Sequence, residues 1–151
     1  MYVFSARPIM IHGNLKSLSV SGTSGLNSTG GVTTTGSQTY TGPVTLGASQ
    51  TISVVGVGNM FFGSTLTGAF DLIIDPPALL TFTGIVNVAS LNATATNIHM
   101  NGPSITTTVG GQVYDGIITL GTDVTLNSAA GINFSTAGTT VDSDGTPRAL
   151  T

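Results

Sequence analysis

Residues 33–53 read TTTGSQTYTGPVTLGASQTIS, and residues 107–127 read TTVGGQVYDGIITLGTDVTLN. The two stretches align without a gap at an offset of 74, with 10 of 21 positions identical. The shared residues include Gly36, Gln38, Tyr40, Gly42, Leu46 and Gly47 in the first copy, and Gly110, Gln112, Tyr114, Gly116, Leu120 and Gly121 in the second. Self-similarity at a fixed period marks a repeat architecture, in which one unit buries its apolar face against the next. These twelve residues define the repeat and carry a structural expectation. The likeness extends outward: Ser17-Leu18 matches Ser90-Leu91 at an offset of 73, and Phe62-Gly63-Ser64-Thr65 is echoed in Phe134-Ser135-Thr136. The chain thus divides into a non-repeat segment or cap, residues 1–13, and a repeat domain, residues 14–151, with about two copies of a 74-residue unit.

Inside each unit the pattern is short strands and turns. Val44-Thr45-Leu46, Val86-Asn87-Val88, Ile118-Thr119-Leu120 and Val124-Thr125-Leu126 alternate apolar and polar residues, as half-buried strands do. Met60-Phe61-Phe62, Leu72-Ile73-Ile74 and Leu79-Leu80-Thr81-Phe82 read as further strands. Gly or Asn-Gly punctuates the gaps, and Asp75-Pro76-Pro77-Ala78 reads as a turn, since neither proline can donate to a ladder. Three such strands make a coil of roughly 20–25 residues, the period of a parallel β-solenoid. The expected fold is all-β: a right-handed parallel β-helix with about three strands per coil, one 74-residue unit making about three coils. The rival reading is a β-sandwich. The self-copy and the absence of two-residue hairpin turns weigh against it.

Composition points the same way. Only 9 of the 151 residues are Lys, Arg, Asp or Glu, and all six acids are Asp. Thr (26), Gly (21), Ser (15) and Asn (9) fill nearly half the chain. A long helical protein needs the charged helix formers missing here. Three scattered cations, Arg7, Lys16 and Arg148, cannot form the basic stripe of a nucleic-acid binder. Without Cys there is neither a disulfide scaffold nor a zinc-thiolate site. No apolar run is long enough for a membrane-spanning helix, so no membrane insertion is expected. The N-terminal MYVFSARPIMIHG has Arg7 and Pro8 in its middle and does not read as a signal peptide. In stacked coils like side chains lie on like: charges repel, whereas Thr, Ser and Asn share hydrogen bonds.

The two quoted phrases resemble the repeat units of large bacterial filamentous-haemagglutinin-like proteins, the β-strand-repeat or autotransporter-type adhesins. FFGSTLTGAFDLIID, INFSTAGTTVDSDGTPRALT and LKSLSVSGTSGLNSTGGVTTTG are similar to other parts of such repeats, so the resemblance covers roughly residues 14–151. It implies an exported, very long, right-handed β-helical stalk, secreted or held at the cell surface, with adhesive or matrix roles. The partners implied are neighbouring coils of a longer chain, and surface glycans or host receptors. At 151 residues this chain is far shorter than such proteins, so the expectation is a fragment or a truncated gene. Open solenoid ends present unpaired backbone groups, so end-to-end self-association into oligomers or fibres is expected.

No catalytic, cofactor or metal site is expected. Asp71, Asp75, Asp115, Asp123, Asp142 and Asp144 read as turn and cap residues: the counterparts of Asp115 and Asp123 in the first copy are Thr41 and Ser49. A polysaccharide-active or carbohydrate-binding β-helix is the enzymatic alternative, and it requires carboxylates close together in a groove. Asp142-Ser143-Asp144-Gly145 starts like a calcium loop but lacks the closing Glu. His12 and His99 form no ligand pattern, and His99 is expected to point outward. Tyr40 and Tyr114 are expected at coil corners or over a core edge, with sugar contact as the alternative. A Thr-rich ice-binding solenoid is a second alternative, but the Thr33-Thr34-Thr35 and Thr106-Thr107-Thr108 runs recur once per unit rather than once per coil.

Overall fold

The computed structural model describes residues 15–76, 78–135 and 139–151. The expected cap at 1–13, with His12, lies outside them, as do Pro77 and Thr136. Among the described residues, apolar–polar alternation produces seventeen short strands and no helix. β1 (Leu18–Val20), β2 (Ser24–Leu26) and β3 (Val32–Thr34) make the first coil. β4 (Gln38–Tyr40), β5 (Val44–Leu46) and β6 (Gln50–Val54) make the second, and β7 (Met60–Phe62), β8 (Leu66–Thr67) and β9 (Asp71–Asp75) the third. β10 (Leu79–Phe82), β11 (Val86–Val88) and the first part of β12 (Ser90–Met100) form the fourth. The rest of β12, β13 (Ser104–Thr107) and the first part of β14 (Gln112–Leu120) form the fifth. The rest of β14, β15 (Thr125–Ser128) and β16 (Ile132–Phe134) form the sixth, and β17 (Val141–Ser143) begins another.

Every strand pair is parallel, and each strand pairs with its counterpart one coil away. The molecule is a parallel β-solenoid of about six turns, and the sandwich alternative falls. Three sides result. Side one stacks β1, β4, β7, β10, the end of β12, the end of β14 and β17; side two stacks β2, β5, β8, β11, β13 and β15. Side three stacks β3, β6, β9, the start of β12, the start of β14 and β16. β12 and β14 run around a corner without a break, which joins sides one and three into one eleven-stranded sheet; side two is a separate six-stranded sheet.

A coil advances between 18 residues (Leu80 opposite Ile98) and 26 (Val124 opposite Leu150). That spacing revises the reading of the 74-residue offset. Three coils carry the chain from Gln38 through Met60 and Leu80 to Ile98. Fourteen residues remain before Gln112, two sides of the next coil. The copy is therefore displaced by three and two-thirds coils: Gln38 opens a strand on side one, and Gln112 opens one on side three.

Inward positions of all three sides merge into one core. Side chains stack in columns along the axis, as in Val44, Leu66, Val86 and Ile105. Each such burial removes apolar surface worth about 1.5–3 kcal/mol per side chain. Tyr40, Phe62 and Phe82 stack in consecutive coils with ring centroids 5.3 and 5.7 Å apart, and Tyr114 stacks on Phe134 at 5.8 Å.

Candidate functional site

The repeat-defining residues converge on corners. Gln38 sits at the start of β4 with its amide buried. Its Nε2 donates to the Val32 carbonyl at 3.2 Å and the Ser53 carbonyl at 2.8 Å, and the Tyr40 hydroxyl donates to its Oε1 at 3.0 Å. Gln112 repeats this on another side: Nε2 donates to the Ile105 carbonyl at 3.0 Å and the Asn127 carbonyl at 2.8 Å, and the Tyr114 hydroxyl donates to Oε1 at 2.8 Å. Each glutamine thus ties backbone carbonyls of two adjoining coils. Tyr40 is 1% exposed and Tyr114 0%, which removes both from any contact with sugar. Burial holds both phenols well above their ordinary pKa.

The bonding also places a slip that the ungapped alignment hides. Thr34 Oγ1 donates to the Gly36 carbonyl two residues on, whereas in the second copy Thr107 Oγ1 donates to the Gly110 carbonyl three residues on. Thr34 is therefore the counterpart of Thr107, not of Thr108, and the second corner is one residue longer. Past the glutamines the copies stay in step. A side chain at Gly47 would collide with the Asn27 amide one coil below, and one at Gly121 with the Asn101 amide. Leu46 and Leu120 both point into the core. A Cβ at Gly36 would lie 2.6 Å from the Lys16 carbonyl oxygen, and one at Gly110 2.6 Å from the Ser90 Cβ. At Gly42 a Cβ would strike the backbone of Gly22. Gly116 has φ 145° in the corner of β14, where Ala95 and Thr96 of β12 face a single residue, and a Cβ there would strike the Ala95 carbonyl. Sequence reasoning missed Gln50, also buried, whose Nε2 donates to the Ser28 carbonyl at 2.5 Å. Its signal was present: the chain has three Gln, and all three are buried.

The carboxylates are dispersed. Asp71 and Asp75 are the outward ends of β9, with roughly 13 Å of strand between them. Ser90 Oγ donates to Asp71 Oδ1 at 2.6 Å. Asp115 lies within β14 rather than in a turn, opposite Thr94, and Thr94 follows the register residue next to Ile74, so Asp75, Thr94 and Asp115 occupy successive coils. Asp123 accepts the Ala149 N–H at 2.9 Å, and Asp142 accepts the Ser143 N–H at 2.8 Å. Asp144 accepts Arg148 Nη2 at 3.4 Å and the Thr146 N–H at 3.3 Å; these bonds, Arg148 first, hold its carboxyl below the usual range. Asp142 and Ser143 thus belong to β17, and the chain bends at Asp144–Thr146 just past it.

His99 points outward on side one, between Thr81 and Thr119 of the adjoining coils. Among the described residues no three His, Cys, Asp or Glu cluster as a metal site would require. A hollow of about 460 Å³ opens beside β17, lined by Leu120, Val141, Asp142, Ser143, Pro147, Arg148 and Leu150. It holds one carboxylate and one guanidinium, without a second acid opposite. Comparison with known proteins adds no name to this geometry: no family model matches the chain, and no match is found among curated proteins or solved structures.

Proposed function

We propose that this chain is a non-catalytic structural and adhesive module, a stretch of solenoid stalk from an exported bacterial surface protein of the filamentous-haemagglutinin-like kind. One observation carries the reading: the Gln–Tyr corner is built with the same partners on side one and on side three. A phrase that works on any side is a coil-building unit and ties the sequence to length and rigidity. Solenoids of this kind add stability coil by coil through nearest-neighbour contacts. The partners proposed are further coils or a second copy docking on the edge of β16 and β17, where Ile132, Phe134, Val141 and Leu150 are 37–41% exposed. Surface glycans or host receptors follow from the resemblance.

The polysaccharide-active reading has one observation in its favour. Asp75 and Asp115 stand two coil spacings apart, about 10 Å, near the upper separation of a water-activating carboxylate pair. Thr94 fills the coil between them. The deciding experiment incubates the purified chain with a panel of polysaccharides, reading new reducing ends and unsaturated products. In parallel, beads coated with the chain are tested for retention on glycan and host-cell surfaces. Retention without cleavage is the expected result. Cleavage abolished by Asp75→Asn or Asp115→Asn would replace this reading with the enzymatic one.

A further inference from the structure

Side two is a sheet of its own, separate from the other two sides. Its register holds from β2 to β15 through every pairing without the shift that β12 and β14 show at their corner. Two outward columns run its length. One carries Gly25, Thr45, Thr67, Asn87, Thr106 and Asn127 in register. The flanking column carries Thr65, Ser104 and Thr125, and at its far end Thr125 Oγ1 lies 3.1 Å from Thr151 Oγ1. No charged and no aromatic residue stands among these positions; Asp71, Asp75 and Asp115 belong to side three and Asp142 to side one, while exposed Asp123, two residues before Thr125, stands at the rim of side two's last strand. Among the described residues, the hydroxyls of Thr45, Thr65, Thr67, Ser104 and Thr106 have no hydrogen-bond partner within the chain.

We propose that side two is an ice-binding face. Of the two threonine runs, Thr33–Thr35 belongs to β3 and the corner after it, whereas Thr106 of the second run lies in the side-two array, whose other members are scattered one or two per coil. Columns are spaced about 4.8 Å along the axis and about 6.6 Å between outward neighbours on a strand, a rectangular grid near the oxygen repeats of a hexagonal ice plane. Each threonine offers a methyl that orders a water cage and a hydroxyl that anchors it. Two rival occupants fit less well. A second copy needs roughly 800 Å² per partner with an apolar centre, and this side supplies only Pro43 and Ile85. A glycan needs flat aromatic rings to stack on, and there are none here. Gly25 in the first coil, Pro43 in the second, Ile85 and Asn87 in the fourth and Asn127 in the sixth interrupt the hydroxyl array; the third and fifth coils carry hydroxyls in both columns.

The test is partition of the purified full chain between slowly grown ice and the remaining liquid, beside an inert protein of similar size, together with inhibition of ice recrystallisation. Enrichment in ice is expected, with loss in Thr45→Lys and Thr106→Lys and retention in the side-one control Thr119→Lys. Circular dichroism checks that each variant keeps its strand signal; if a lysine variant unfolds, Thr45→Val with Thr106→Val gives the same reading through the hydroxyls alone. Exclusion of the parent chain from ice to the level of the inert protein overturns the proposal. So does equal loss in Thr119→Lys, or capture by insoluble glycans through side two without ice enrichment.

Discussion

Gln38 and Gln112 show how a polar residue becomes a core residue. Each amide donates to carbonyls of two adjoining coils, and each receives a tyrosine hydroxyl. Replacing Gln38 with Leu strips partners from Val32, Ser53 and Tyr40, and the expected loss is about 1–3 kcal/mol, read as a lower urea midpoint. Tyr40→Phe removes one bond and costs about 1 kcal/mol. In the double variant the loss falls short of the sum by roughly 0.5 kcal/mol or more, since the pair shares one interaction. The tyrosines also set an alkaline limit. Burial raises both phenol pKa values in the folded chain, so the stability they contribute is whole below about pH 10, the unfolded value, and falls as pH rises beyond it. Tyrosinate absorbance is expected to emerge together with loss of the strand signal, and Tyr40→Phe with Tyr114→Phe moves that transition to higher pH. The sequence made these residues visible by repeating them. It left open which way they face, because alternation marks one face of a strand without saying which face the core takes.

Most strands here are units of three to five residues, β12 and β14 being longer because they turn a corner, and their neighbours come from the next coil, so their outward chemistry is decided by stacking. On side three Asp75, Thr94 and Asp115 occupy successive coils, and neutral Thr94 keeps the two carboxylates apart. Thr94→Asp places three carboxylates in a column, and like charges on neighbouring strands cost roughly 0.2–1 kcal/mol per pair. The penalty is a repulsion between exposed charges, so added salt screens it. Denaturation midpoints of parent and variant at neutral pH, with and without salt, check this. Strands such as Val44–Leu46, Met60–Phe62, Leu79–Phe82 and Val86–Val88 were legible from alternation and composition. The continuous turning of β12 and β14 through a corner was not. It depends on Gly116 at φ 145° meeting two residues of the coil beneath, a contact between positions about twenty apart.

At the scale of the molecule, stability rests on contacts between adjoining coils, so position along the axis decides the cost of a substitution. Phe62 is sandwiched between Tyr40 and Phe82 in the interior, whereas Phe134 stacks on Tyr114 alone and is 39% exposed. Phe62→Ala is expected to cost about 3–5 kcal/mol and to lower the whole denaturation curve. Phe134→Ala costs less than half of that and loosens chiefly its own coil, which amide exchange resolved by residue would show. The sequence by itself determined the class and the parts: a stacked all-β repeat, low in charge because like side chains lie on like, with Gln, Tyr and Gly fixed at its corners. Only the tertiary structure decided that a 74-residue copy lands one side away from its original, and that scattered threonines line up into the columns of side two. The physical reason is the same for both. Coil length varies between 18 and 26 residues, so which residues become neighbours across the axis is fixed by how each corner closes, and a linear repeat records the corners without recording their sum.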